Sequence, residues 1–161
     1  ILYKKNFYYH KWIEVRQKPS NQVHFRTQET EFDTVGILKT LPGIRKYVAI
    51  DGGMSDNIRT ALYHADYEPV IANKAGQPRT EIVTVCGKHC ESGDAVALDR
   101  PIQHPDIDDI LCVFGTGAYC HSMSSNYNGQ PRPGIVFVKD GQARLVTRRE
   151  TYDDLMACDV D

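Results

Sequence analysis

The stretch Ile82-Val83-Thr84-Val85-Cys86-Gly87-Lys88-His89-Cys90-Glu91-Ser92-Gly93-Asp94-Ala95-Val96-Ala97-Leu98 reads as strand, glycine-bounded turn, strand. Its apolar flanks are short and rich in valine, the composition of a pleated, half-buried surface. Between them a thiol, two carboxylates and a hydroxyl crowd into one turn, and its glycines allow backbone geometries that other residues avoid. Loops between strands carry function more often than the strands that position them. The same punctuation recurs on both sides.

Towards the N-terminus, residues 34–38 and 46–51 read as strands around the turn Leu41-Pro42-Gly43. The second strand runs into Gly52-Gly53-Met54, after which Ser55, Asp56 and Asn57 are good N-cap types for a helical turn over 58–63. Residues 67–72 make a third strand. Towards the C-terminus, residues 109–114 are a buried-strand pattern, broken by Gly115-Thr116-Gly117-Ala118-Tyr119 into a helix that is expected to reach Ser125. Residues 135–138 and 143–147 form a hairpin across Asp140-Gly141, a favoured two-residue turn. A terminal helix over 151–157 opens with Thr151-x-x-Asp154, an acidic capping box. Seven or so short strands with two or three short helices predict a mainly β domain, a sandwich or barrel-like sheet. Alternating strand-helix units are missing, so a (β/α)8 barrel is not expected.

Residues 1–33 differ in character. Aromatics and lysines crowd the start (Tyr3, Phe7, Tyr8, Tyr9, Trp12), a polar segment follows, and residues 12–15 and 23–25 are candidate edge strands. The expected division is therefore an atypical N-terminal segment, 1–33, and a β domain, 34–161. The chain has 161 residues, enough for one ordinary core. A net charge of −2 with interspersed signs argues against a nucleic-acid binder, and no apolar run has the length of a membrane span. Five cysteines without a Cys-x-x-Cys pair support neither a disulfide framework nor a zinc ribbon, which points to a reducing, cytoplasmic setting.

Taken locally, the chemical clusters stay ambiguous. Cys90 has an ordinary acidity near ~8.5 that modest tuning brings to a proton donor's range, yet from spacing alone it reads better as a structural thiol beside a solvated Glu91. Cys86, His89 and Cys90 make a weak metal set with no partner pair, and no metal is expected. Arg59 and Tyr63 share a helical face and suit a carboxylate or phosphate; a surface arginine over a packed tyrosine is an equal reading. Tyr119 either hydrogen-bonds a phosphate or plugs the core. His64, His104 and His121 lack triad or ligand spacing. Arg144, Arg148, Arg149 and Glu150 read as a solvated charged face.

Order and wording together say more. Asp51-Gly52-Gly53-Met54-Ser55-Asp56-Asn57-x-Arg59-x-Ala61-Leu62-Tyr63, then Gly87-Lys88-x-Cys90-Glu91-Ser92-Gly93-Asp94, then Thr116-Gly117-Ala118-Tyr119-x-x-Ser122-Met123-x-Ser125-Asn126-Tyr127-Asn128 and Pro131-Arg132-Pro133 resemble the C-terminal half of the diaminopimelate decarboxylase family, as does the tail Arg148-Arg149-Glu150-Thr151-Tyr152. These are pyridoxal-phosphate enzymes of the alanine-racemase-like fold type. The resemblance covers residues 34–158 and implies a homodimer that turns meso-diaminopimelate into L-lysine and carbon dioxide. By position it implies that Cys90 is the proton donor and that Glu91 contacts the distal amino group, both across the dimer interface. It implies that Arg59 and Tyr63 receive the distal carboxylate and that Tyr119 touches cofactor phosphate and substrate. Asp94 resembles an acidic residue that pairs across the interface. The family's N-terminal barrel, with its anchoring lysine, is not in this sequence, so the isolated chain is expected to be inactive. The rival readings are a barrel-less, non-catalytic partner of a decarboxylase and a fragment of an arginine- or ornithine-type sibling.

Overall fold

The structure, a computed structural model, describes residues 7–12, 27–117, 119–139 and 142–160. Its organising element is β2, Thr27–Leu41, which serves two sheet layers in succession. The half up to Thr34 lies between β1 (Phe7–Trp12) and β7 (Ile110–Phe114), antiparallel to both. The half from Val35 onward pairs instead with β3 (Arg45–Ile50). The switch falls at Gly36, where the register to β3 shifts between Val35 and Ile37. An extra residue in one strand bends it and increases its twist, which is how a strand turns a corner between layers.

From β2 the first layer extends outward through β1 to β8 (Gly134–Lys139) and β9 (Gln142–Thr147), and on the other side through β7 to β4 (Pro69–Ile71). The second layer continues from β3 to β5 (Glu81–Cys86) and β6 (Ala95–Ile102). The β1–β8 and β3–β5 pairs are parallel. The layers close on a core that includes Val35, Val48, Ile50, Ile71, Val83, Val85, Val96, Ile102, Leu111 and Val113. Val48 and Ile50 on β3, and Val83 and Val85 on β5, recur every second residue, the period that brings side chains to one sheet face. Three single-turn helices are added: α1 (Arg59–Tyr63), α2 (Cys120–Met123) and α3 (Tyr152–Leu155).

The mainly β architecture and the order of its strands are as the sequence predicts. The hairpin of residues 135–147 is present as β8 and β9, while its turn residues 140–141 lie outside the described residues, as do residues 13–26 with their candidate strand at 23–25. The strand expected at 34 begins at Thr27 and runs through the 33/34 position without a break. Thr151 and Asp154 form the reciprocal capping box of α3. Two expectations need correction. The N-cap of α1 is Ile58 rather than Ser55, Asp56 or Asn57; Asn57 Oδ1 still accepts from Arg59 N at 3.3 Å, but Ser55 and Asp56 are spent elsewhere. The helix expected up to Ser125 stops after four residues, because Ser124 turns extended and caps back onto His121.

Where β2 meets the 51–57 segment, three carboxylates are buried together: Glu31, Asp33 and Asp56. Asp51 Oδ1 accepts from Thr34 N at 2.6 Å, tying this segment to the strand. Asp33 is 2% exposed and presses on Gly52, where a Cβ would overlap its carboxylate. Neither Asp33 oxygen has a hydrogen-bond partner among the described residues. Burial, and then the nearby charges of Asp56 and Asp51, push its carboxyl well above the usual range, against a smaller pull from Lys88 and Arg149. Folding therefore binds a proton at Asp33. The stability it permits is complete below the unfolded value near ~4 and falls as pH rises through the folded value. Asp33→Asn is expected to raise stability by about 1–3 kcal/mol at pH 7.5, the cost of a buried unpaired group, and to leave it unchanged near pH 3.5; urea unfolding at the two pH values measures the difference.

Candidate active site

Helix α1 is short, and its neighbours hold it. Thr60 Oγ1 donates to Val96 O on β6 at 2.8 Å, and His64, at φ 52°, closes the helix in the left-handed conformation by donating to Thr60 O. Four-residue spacing then stacks Arg59 over Tyr63, with the guanidinium carbon 5.3 Å from the ring centre. A second ring covers Arg59 from a distant segment: Tyr119, ahead of α2, lies 5.1 Å away. Both rings are exposed and the arginine is half-buried. An arginine held against aromatic rings retains guanidinium N–H groups as donors to an anion. Beneath this platform, the Tyr67 hydroxyl meets Cys120 Sγ at 3.5 Å, and Cys120 donates to Asn57 Oδ1 at 3.4 Å. Burial pushes the Tyr67 hydroxyl up to about 12, so it stays protonated.

The turn between β5 and β6 is organised by Asp94. This side chain is 4% exposed, and its two oxygens accept from Met54 N at 2.6 Å and from His89 N at 2.7 Å. Lys88 N donates to Gly52 O at 3.1 Å, so the turn and the Gly52-Gly53-Met54 segment are joined twice. The approach needs glycine on both sides. A Cβ at Gly87 would overlap the Asp94 carboxylate and the Gly53 Cα; one at Gly53 would meet Asp94 Oδ1 at 2.7 Å. Cys90 and Glu91 are left exposed at the tip, and Tyr127 donates its hydroxyl to Glu91 Oε2 at 3.4 Å.

The sequence-derived site residues thus fall into two groups. Arg59, Tyr63 and Tyr119 meet in one platform, so Tyr119 does not plug the core. Cys90 and Glu91 share the turn, which packs beside α1 where Gly93 approaches Ala61. Among the described residues, no hydrogen bond, ion pair or ring contact is found between the two groups. Asp94, which resembles an interface acid, is engaged within the chain: both its oxygens accept from backbone N–H groups and almost none of it reaches solvent. No three described His, Cys, Asp or Glu side chains converge to hold a metal ion. Cys86 is half-buried, and burial with the Asp94 charge raises its thiol.

Sequence reasoning missed the supports. His89 is buried between Ser55 and Asn128, and Glu150 accepts from Asn126 Nδ2 at 2.6 Å and Arg132 N at 2.9 Å instead of lying on a solvated face. The readable signal was the glycine pair at 53 and 87, each next to a motif that contains a carboxylate.

Residues 7–117 match the family model described as pyridoxal-dependent decarboxylase, C-terminal sheet domain. The chain is 50% identical over 131 residues to the diaminopimelate decarboxylase of Bacillus subtilis (strain 168), covering 81% of this chain and 30% of that protein. It is likewise 50% identical over 125 residues to that of Synechocystis, covering 78% and 27%. Among solved structures, a diaminopimelate decarboxylase of M. jannaschii in complex with L-lysine superposes with a TM-score of 0.75 at 34% identity, covering 83% of this chain and 30% of that one. The chain therefore spans about three tenths of the length of these relatives.

The packing around Asp94 yields a paired expectation. Gly87→Ala forces backbone and carboxylate apart and is expected to destabilise by about 1–3 kcal/mol or more. Gly93→Ala, whose Cβ meets only Ala61 Cβ at 3.9 Å, is expected to change little. Chemical denaturation of the two variants side by side makes the comparison.

Proposed function

Because the chain belongs to the pyridoxal-dependent decarboxylases, through their C-terminal sheet domain, we propose that it is the part of a diaminopimelate decarboxylase that receives the substrate's distal end and returns a proton. The carrying observation is the convergence of Arg59 and Tyr63 with Tyr119, distant in sequence, on one exposed cationic platform. The reaction is the conversion of meso-diaminopimelate to L-lysine and carbon dioxide, in the cytoplasm, by a homodimer with an N-terminal barrel domain.

The division of labour follows from the side chains. The Arg59 guanidinium, held against the two rings, binds the distal carboxylate through its N–H groups. Glu91 accepts the distal ammonium, and Tyr127 holds one of its oxygens. The exposed Cys90 thiol donates its proton to the carbon that carbon dioxide leaves. Among the described residues the two groups make no contact, and by the family resemblance Cys90 and Glu91 act on the site of the second copy. Pyridoxal phosphate supplies an electron sink for the bond that breaks. This chain fits it at one edge: Tyr119, exposed beside Arg59, is the residue that would meet its phosphate. The covalent anchor belongs to the barrel of the complete enzyme, as the family resemblance implies. The isolated chain is accordingly inactive.

A sibling acting on ornithine or arginine is disfavoured by Arg59, which has no partner in a substrate without a second carboxylate. The lysine decarboxylase of Selenomonas ruminantium, at 20% identity and a TM-score of 0.59, shares the fold alone.

In the complete decarboxylase, Arg59→Ala is expected to raise KM for diaminopimelate by roughly 10- to 100-fold, the loss of a charge-assisted pair. Cys90→Ala is expected to lower kcat by about 10²- to 10⁴-fold with KM nearly unchanged. Steady-state carbon dioxide release measures both, and an Arg59→Ala enzyme with unaltered KM defeats the assignment.

A further inference from the structure

His89 is a buried titratable side chain in direct contact with both the 51–57 segment and the segment that follows α2. It is 9% exposed. Its Nε2 lies 2.8 Å from Ser55 Oγ, and its Nδ1 lies 3.4 Å from Asn128 Nδ2. An amide NH2 only donates, so Nδ1 accepts and Nε2 carries the hydrogen, which goes to Ser55. The Tyr127 ring lies 5.4 Å from the imidazole, tilted by 53°, and sends its hydroxyl to Glu91 Oε2. The His89 backbone N–H is one of the two donors held by Asp94.

The support behind Asn128 is equally specific. Asn128 sits at φ 56° in the short 3₁₀ turn Tyr127–Gly129. That turn is anchored by Asn126, whose Nδ2 donates to Gln130 O at 3.0 Å and to Glu150 Oε2 at 2.6 Å. Ser125 N donates to Ser55 O at 2.9 Å, so both sides of the imidazole are tied to each other as well as to the ring.

Building on the proposed reaction, we infer that His89 is a positioning residue: as a neutral imidazole hydrogen-bonded by Ser55 and Asn128, it sets the orientation of the Cys90–Glu91 tip and of the Tyr127 hydroxyl that holds Glu91. Protonation would turn Nδ1 into a donor facing the Asn128 donor, and that contact would open. Burial, aided by the Lys88 charge, lowers the basicity of His89 below the ordinary value, against the opposing pull of Asp94 on its own turn. Further ionisable groups on the packed elements are Asp51 and Asp56 on the 51–57 segment, Cys90 and Glu91 on the turn, and Tyr127, with Glu150 behind Asn126. The strut is intact above the lowered midpoint and lost as pH falls through it.

The test has one arm that does not depend on turnover. In the ¹⁵N-labelled full chain at pH 7.5, long-range ¹H–¹⁵N spectra are expected to show His89 protonated at Nε2 alone. As pH falls, the Cys90, Glu91 and Ser92 amide signals should move with the His89 ring, at a midpoint below ~6.5. In His89→Asn, whose side-chain oxygen replaces Nδ1 as acceptor, the amides should keep their pH 7.5 positions and lose that titration. Asn128→Ala, on an exposed turn, should shift the three amides at pH 7.5, and Tyr127→Phe should shift Glu91 chiefly. In the complete decarboxylase, Asn128→Ala should lower kcat on the order of tenfold to a hundredfold, as a misplaced tip would, while His89→Asn should lower it less and remove the His89-linked acid limb of its pH profile. A hydrogen on Nδ1, or tip amides indifferent both to His89 titration and to Asn128→Ala, overturns the inference. If the enzyme turns over no diaminopimelate while the spectra behave as expected, the proposed reaction fails and the strut stands.

Discussion

At the centre of the site lies a carboxylate removed from water and held by two backbone N–H groups from different segments. Asp94 accepts from Met54 and from His89, and each bond is of the short, charge-assisted kind. A buried anion with such partners is costly to leave unpaired, so the two segments cannot part without exposing or stranding the charge. Gly53 and Gly87 make the approach possible by leaving room where a Cβ would overlap it. The exposed chemistry of Cys90 and Glu91 is thereby carried on a turn whose base is rigid.

The bend in β2 does the corresponding work for the fold. One strand contributes to both layers, so the platform at α1 and the turn between β5 and β6 are referred to a common spine. The bend also brings Glu31 and Asp33 under the 51–57 segment, where their burial makes the junction sensitive to proton concentration. Rigidity at the functional end and electrostatic cost just below it are neighbours in this chain.

Much of this could be read from the sequence. Short apolar, β-rich runs gave β3, β5 and β7 within a residue or two, and four-residue spacing put Arg59 over Tyr63. Local signals failed where a side chain's partner is remote. Ser55 and Asp56 look like caps because their short polar groups suit an adjacent helix; in the fold one is taken by His89 and the other is buried. For Asp94, which resembles an interface acid, nothing next to it in sequence reveals that Met54 will donate to it. Glu150 looks solvated among arginines until Asn126 reaches it across 24 positions. Side-chain periodicity is a local property, whereas satisfaction of buried polar groups is a global one.

Tyr119 stands at φ 73° and ψ −30°, outside the regions where a side chain with a Cβ rests comfortably, and its ring is largely exposed. Such a conformation costs on the order of 1–3 kcal/mol, and glycine would adopt it freely. Burial of the ring returns little of that cost. A library of variants at position 119 therefore separates two pressures that usually coincide: enrichment for abundance or heat resistance should drift towards glycine, and enrichment for turnover should hold the tyrosine. The strained backbone is in this sense a record of which pressure shaped the site.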